Sequence, residues 1–561
     1  MSMPRPGPID KALRAARNLS ILLAVAALVA GCGAKAPTRA PCPPGKICLQ
    51  RGNGSEPATL DPPKIIGTWE DSIVGDAIEG LVQDDVEGRG IPGMAERWTV
   101  SSDGLVWTFH LRDATWSDGV PVTADDFVFS LRRLMAPETA SEYASLLYVI
   151  KNAQPVNEGK AAKAALGVRA LSPKVLEITL EHPAPYLIEL AKHSTMWPTP
   201  KHVVEKWGDA WVQPAHFVGN GPFRIVEWRL GDYVRLVKNP RYYDAGAVCP
   251  DEVRYYPTND AVSAERRVKR GELDLNADIQ SNRVAFLRER MPGFVRTHTY
   301  LGVAYLAFNT QVPAFKDRRV RIALDMTIDR DFIARKLLRG GQQPAYTFVP
   351  PGVANYRPAT PPVWATWPLA RRQAAARVLL ARAGYGPSNP LRTVIKHRNT
   401  PDPTLFMPAI QADWKEIGVH ADLMQNETQI AYAAYRARDF EVADAAWIAD
   451  FNDAMSFLYL NQSDTGAQNY GDYDSPAFDA LLAKADHEPD VQKRAGDLAA
   501  AEAVMLQDAP VAPIFFYVNK SLVSPNVTGW VDNIIDHHRS KYLCVKGVRK
   551  AVATAKVSRA G

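Results

Sequence analysis

Residues 105–111 alternate apolar and polar positions, with Trp107, Phe109 and Leu111 on one face, and residues 98–100 are equally rich in strand formers. Asp103 and Gly104 lie between them and favour a turn, so the pattern predicts a β-hairpin. After a second turn at Ser117, Asp118 and Gly119, Thr123 with Asp126 three residues on resembles a capping box. Phe127, Val128, Leu131 and Leu134 then recur at helical spacing, which predicts an amphipathic helix. Further along, residues 391–395 read as a strand, 403–416 as a helix ended by Gly418, and 419–424 as a second strand. Strand, helix and strand in so few residues predict a parallel crossover. Helical periodicity also runs over residues 317–338, with Asp329 as a cap between two helices, and over 372–383 before Gly384. The expected fold class is α/β, and no internal repeat is visible.

The chain has 561 residues, 46% of them hydrophobic and 23% charged. That is enough apolar material for several packed cores, and it excludes a small module or a disordered chain. The formal charge of +5 is unevenly placed: residues 1–31 carry +3 and residues 546–561 carry +5, which leaves −3 for the body. A nucleic-acid binder needs a basic face to displace counterions, and a charge this balanced gives no support for one.

The N-terminus has a basic stretch to Arg17, then an uncharged apolar run over residues 21–30, then Val29, Ala30, Gly31 and Cys32. The run is too short to span a bilayer and reads as an export signal. Its end resembles the bacterial lipobox, in which the cysteine is acylated, so Cys32 is the expected lipidation site and first residue of the mature chain. Residues 32–48 then read as a tether and residues 546–561 as a disordered basic tail. Of the remaining cysteines, Cys42 and Cys48 are close enough to bridge, whereas Cys249 and Cys544 are too far apart in sequence to indicate a framework or a zinc ligand set. Stability is expected from cores.

Motifs for catalysis are missing: there is no GxSxG, HExxH or GxxxxGK[ST], and Gly219, Asn220 and Gly221 are followed by Arg224 where a dinucleotide loop needs its third glycine. His537 and His538 are adjacent, which on a strand puts them on opposite faces, so they read as a polar surface pair and not as metal ligands. No enzyme, cofactor or metal is expected.

Five blocks, over residues 51–65, 92–134, 219–228, 316–333 and 447–458, resemble the family 5 extracellular solute-binding proteins in order and spacing. The likeness spans roughly residues 49–545 and implies a periplasmic binding protein-like clamshell, type II and cluster C, with an additional α/β domain. The implied first domain is discontinuous, over residues 49–80, 203–300 and 518–545; the second covers 81–202 and the third 301–517. The implied role is a substrate-binding lipoprotein of an ABC importer, a monomer that captures short peptides and delivers them to permease and ATPase subunits at the membrane.

A peptide enclosed between two lobes loses water, so its backbone and charged ends must find partners. The resemblance puts the N-terminal ammonium on Asp450, at the end of Trp447, Ile448, Ala449 and Asp450. Without it, Asp450 reads as the cap of a helix starting near Met455. The backbones of Trp447 and Ile448 are expected to pair with ligand as an added strand. Tyr143 and Tyr517 fall where the family has ligand-facing tyrosines, and Thr68 and Asn469 lie on similar segments; an isolated tyrosine alone reads as an interior aromatic.

Departures are informative. Close relatives carry a cysteine pair where this chain has Gly302 and Ile448, and charged or imidazole side chains for ligand C-termini where it has Ile66, Ala307, Thr404, Tyr435 and Asp444. The preferred peptide is therefore not inherited. The resemblance leaves two alternatives, a receptor for a non-peptide solute such as a metal chelate, haem, sugar or murein peptide, and a secreted cell-wall enzyme.

Overall fold

The computed structural model describes residues 39–546; Cys32, the export signal and the tail beyond Lys546 lie outside them. No helix among the described residues is long and apolar enough to cross a membrane.

Five strands carry the argument: β1 (Cys48–Gly52), β2 (Val295–Phe308), β3 (Arg392–Arg398), β4 (Val442–Ile448) and β5 (Val511–Val523). They belong to one mixed sheet of eleven strands. Its order is His420–Asn426, β3, β4, β2, β5, Leu275–Asn276, β1, Glu252–Tyr256, Tyr233–Lys238 and Phe223–Arg229, with the eleventh strand, Gln343–Pro344, pairing with β5 off this path. The sequence-predicted crossover is present, since β3 runs parallel to His420–Asn426 with helix Pro401–Glu416 between them.

Only β2 and β5 are long, and they pair in two stretches: Val295 to Thr299 against Leu522 to Val518, and Val303 to Ala307 against Phe516 to Val511. Between Thr299 and Val303 the register shifts. Such a break bends and twists a strand pair locally, so the two halves of the sheet meet at an irregular joint.

The predicted hairpin forms from Ala95–Val100 and Val106–Leu111, with Gly104 at φ 74° in the turn, within a separate four-stranded sheet. Helix Ala124–Met135 covers it, and the Asp126 carboxylate accepts from the Thr123 N–H at 2.9 Å and its hydroxyl at 3.1 Å, the reciprocal half of a capping box. Phe127, Leu131 and Leu134 are buried beneath, each contributing about 1.5–3 kcal/mol by burial. Asp329 does cap a second helical segment, accepting from the Phe332 N–H at 3.1 Å, but residues Phe332–Leu338 wind as a π-helix.

Two readings need correction. Cys249 and Cys544 form a disulfide alongside Cys42–Cys48. A separation of 295 residues hides such a pair from spacing, because only the folded sheet brings strand Cys544–Val545 back toward β1. His537 and His538 also belong to no strand. His537 bonds Asp84 at 2.7 Å, and His538 bonds Asp536 at 2.8 Å with its side chain 6% exposed, so they are not a surface pair.

Closing a long loop constrains the unfolded chain, and loss of a native disulfide costs about 2–5 kcal/mol. Replacing Cys249 and Cys544 together by serine is therefore expected to lower the urea midpoint by that equivalent, and an unchanged midpoint contradicts the pairing.

Candidate ligand-binding site

The four-stranded module and residues from 301 to 516 share one hydrophobic core. Tyr186 of the module stacks on Phe451 with centroids 5.2 Å apart, the Arg494 guanidinium lies 4.9 Å from the Tyr186 ring, and His182 faces His487 at 5.7 Å. These contacts close the two parts over the end of β4.

The backbone at that end has a free edge. β4 pairs with β2 along its whole length, with Gly302 opposite Ile448 and Val303 opposite Trp447, but β3 reaches it only at Val442 and Ala443. Among the described residues, no strand pairs with residues 444–448 on the side away from β2. Such an edge accepts another extended chain.

Asp450 follows directly, its N–H donating to the Ser456 hydroxyl at 3.0 Å. It does not cap the next helix, because Asp453 accepts from the Met455 N–H at 2.9 Å and is also gripped by Arg494 at 2.7 and 2.9 Å. The Asp450 carboxylate is left with its Oδ2 buried and without a hydrogen-bond partner. Burial pushes its carboxyl up to about 7, with a hydrogen bond from the Tyr143 hydroxyl pulling the other way. The charge of Asp450, together with burial, in turn raises the Tyr143 phenol well above its usual value.

Trp447 packs edge-on against Tyr459 at 5.9 Å, and its indole N–H is also buried without a partner. Ile448 and Tyr517 crowd Gly302: a side chain there would meet Ile448 Cδ1 at 2.4 Å and Tyr517 Cδ2 at 3.2 Å. Ile448 thus fills the space beside Gly302. Of the expected residues, Asp450, Tyr143, Trp447, Ile448 and Tyr517 gather here. Thr68 does not join them by any contact; it is exposed in the first turn of helix Thr68–Ala77. The buried Asn469 amide is spent on its own loop, donating to the carbonyls of Gln462 and Tyr473 and accepting from the Tyr473 N–H.

Sequence reasoning missed Arg398. Its guanidinium bonds Asp444 at 2.8 and 3.2 Å and the Tyr432 hydroxyl at 3.1 Å. Burial opposes the cation, but Asp444 outweighs that and raises Arg398 well above its usual value. The pair is self-neutralised, which leaves Asp450 as the uncompensated charge beside the free edge. Arg398 and Asp444 are 46 residues apart, and no spacing rule links them.

This arrangement, a four-stranded module packed against a large mixed sheet with a buried carboxylate at an open strand edge, is that of a solute-binding protein. Residues 90–469 match the model of the bacterial extracellular solute-binding proteins, family 5, and the chain belongs to that family. It is 38% identical over 528 residues to the periplasmic oligopeptide-binding protein OppA of Salmonella typhimurium, covering 91% of this chain and 97% of that one. Among solved structures, it superposes with TM-score 0.82 on the Escherichia coli murein tripeptide binding protein MppA, at 35% identity over 89% of this chain and 98% of the other. Haemophilus influenzae OppA in complex with the peptide RPPGFSPFR also gives TM-score 0.82, at 33% identity over 89% and 99%. The fold is the type II periplasmic binding fold.

Because the closed form raises the Asp450 pKa, it holds a proton more tightly than a form in which the carboxylate is solvated. Closure is therefore promoted as pH falls below about 7 and opposed above it. Small-angle scattering is expected to show the unliganded protein becoming more compact between about pH 7 and about pH 5, and Asp450→Asn already compact at neutral pH. A radius of gyration that ignores both pH and the substitution contradicts this.

Proposed function

We propose that the protein is the substrate-binding lipoprotein of an ABC importer, a monomer held at the cell envelope by an acylated Cys32, which captures short peptides between two lobes. In this reading residues 49–80, 203–300 and 518–545 together with 81–202 form one lobe and residues 301–517 the other, and the lobes part about the irregular joint of β2 and β5. The observation that carries the reading is Asp450, a carboxylate with a buried, unpartnered oxygen at the end of a strand with an open edge. A free α-ammonium supplies the missing counter-charge, and the peptide backbone adds to the edge of β4, a mode that reads main chain more than side chains. Tyr143 steadies the carboxylate from the opposite lobe, while Trp447, Ile448 and Tyr517 line the ligand's path. Its relatives' names support peptides as the solute.

Asp450→Asn is expected to weaken peptide binding by about thirtyfold or more, since losing one member of a buried charge pair costs about 2–5 kcal/mol. N-acetylation of the peptide should cost the wild type as much, and the two losses should not add. Amidation of the C-terminus should matter far less, because Arg398 is already neutralised by Asp444. Calorimetry with free, acetylated, amidated and doubly blocked peptide checks this; indifference to acetylation with loss on amidation overturns the assignment. Cys32→Ala should move the protein from the membrane fraction to the soluble one, and a wild type already soluble with an unmodified N-terminus contradicts the anchor.

A further inference from the structure

The segment that follows the second long strand returns alongside β2 within its register break, where the Leu301 N–H donates to the Ile534 carbonyl at 3.2 Å. Asp536 and His538 of this segment face His298 of β2. Asp536 Oδ1 lies 2.8 Å from His538 Nε2 and 3.4 Å from His298 Nε2, and one donor atom from each of the three falls within 4.8 Å of the others. The side chains of His298 and His538 are 10% and 6% exposed, and that of Asp536 is 21% exposed.

The surroundings prepare these atoms as ligands. His298 Nδ1 is 3.0 Å from the Thr299 carbonyl, and the tautomer that donates there carries its lone pair on Nε2. That Nε2 is buried and lacks a hydrogen-bond partner. The other oxygen of Asp536 accepts from the Asn519 amide, and Trp530 stacks on His538 at a centroid distance of 3.6 Å, so both are held in place from behind.

We propose that His298, Asp536 and His538 bind a divalent transition-metal ion of the zinc, cobalt or nickel kind, tying the C-terminal segment to the strand that joins the two halves of the sheet. Metal bonds of about 2.0–2.2 Å meeting near the tetrahedral angle hold two donors about 3.3–3.5 Å apart. The 3.4 Å separation meets this already, and the 2.8 Å contact opens as the ion takes the place of the hydrogen shared by His538 and Asp536. Two imidazoles and one carboxylate suit such ions, whereas magnesium and calcium favour oxygen alone.

The test uses the untagged protein freed of metal by a chelator. Calorimetry with zinc chloride is expected to show one equivalent bound, and cobalt chloride a visible d–d absorption band typical of tetrahedral nitrogen and oxygen ligands. His298→Gln and His538→Gln should each weaken zinc binding by about a hundredfold or more, and Asn519→Ala by about ten- to a hundredfold. Far-UV circular dichroism reports whether each variant folds, and the wild-type cobalt spectrum gives an answer that needs no variant. Failure of the wild type to take up zinc, a cobalt spectrum of free hexaaqua ion, or uptake that both histidine variants retain in folded form overturns the proposal.

Discussion

A carboxylate shut away from water needs a counter-charge, and Asp450 has none among the described residues. An ionised group so placed costs several kcal/mol, so the closed form is satisfied only when something positive enters or the carboxyl takes a proton. The rest of the cleft is arranged around that need. β4 ends at Ile448 and Asp450 follows within two residues, the Ser456 hydroxyl and β2 fix the main chain, and the Tyr143 hydroxyl arrives only when the four-stranded module is docked. In the proposed function, closure and ligand charge are thereby linked through one side chain.

The nearby Arg398–Asp444 pair shows how the same sheet avoids a second demand. Both groups are buried, but each neutralises the other, and Tyr432 takes a further guanidinium hydrogen. In the proposed function, one unmet charge at one end of an open strand edge orients an extended ligand by its cation and leaves its other end less constrained. The irregular pairing of β2 and β5 is the other constraint, since the register shifts between Thr299 and Val303 and again between Ala304 and Tyr305.

Local features were legible in the sequence because their causes are local. The hairpin around Asp103 and Gly104, the Thr123–Asp126 cap and the crossover at residues 391–424 depend on neighbours in the chain, and each appears with boundaries shifted by a few residues. Its block singled out Asp450 as a candidate, and its rejection of the capping role depended on Asp453, three residues on. Features built from distant residues were not legible. The Cys249–Cys544 bridge, the Arg398–Asp444 pair and the meeting of His298 with Asp536 and His538 join positions 295, 46 and about 240 residues apart, and only the sheet order brings them together. The partners of Asn469 were hidden for a related reason, since an amide that holds its own turn looks like any other until the fold is known.

The central claim, that the ligand's cation is the partner of Asp450, is tested most directly by titrating that carboxyl with carbon-13 NMR in two complexes of one tripeptide. With the free N-terminus bound, the account predicts that Asp450 stays ionised to below about pH 4, the ordinary range of a carboxylate. With the N-acetylated peptide at saturation it should titrate near the value of the unpartnered group, about 7. The same titration midpoint in both complexes would contradict the account.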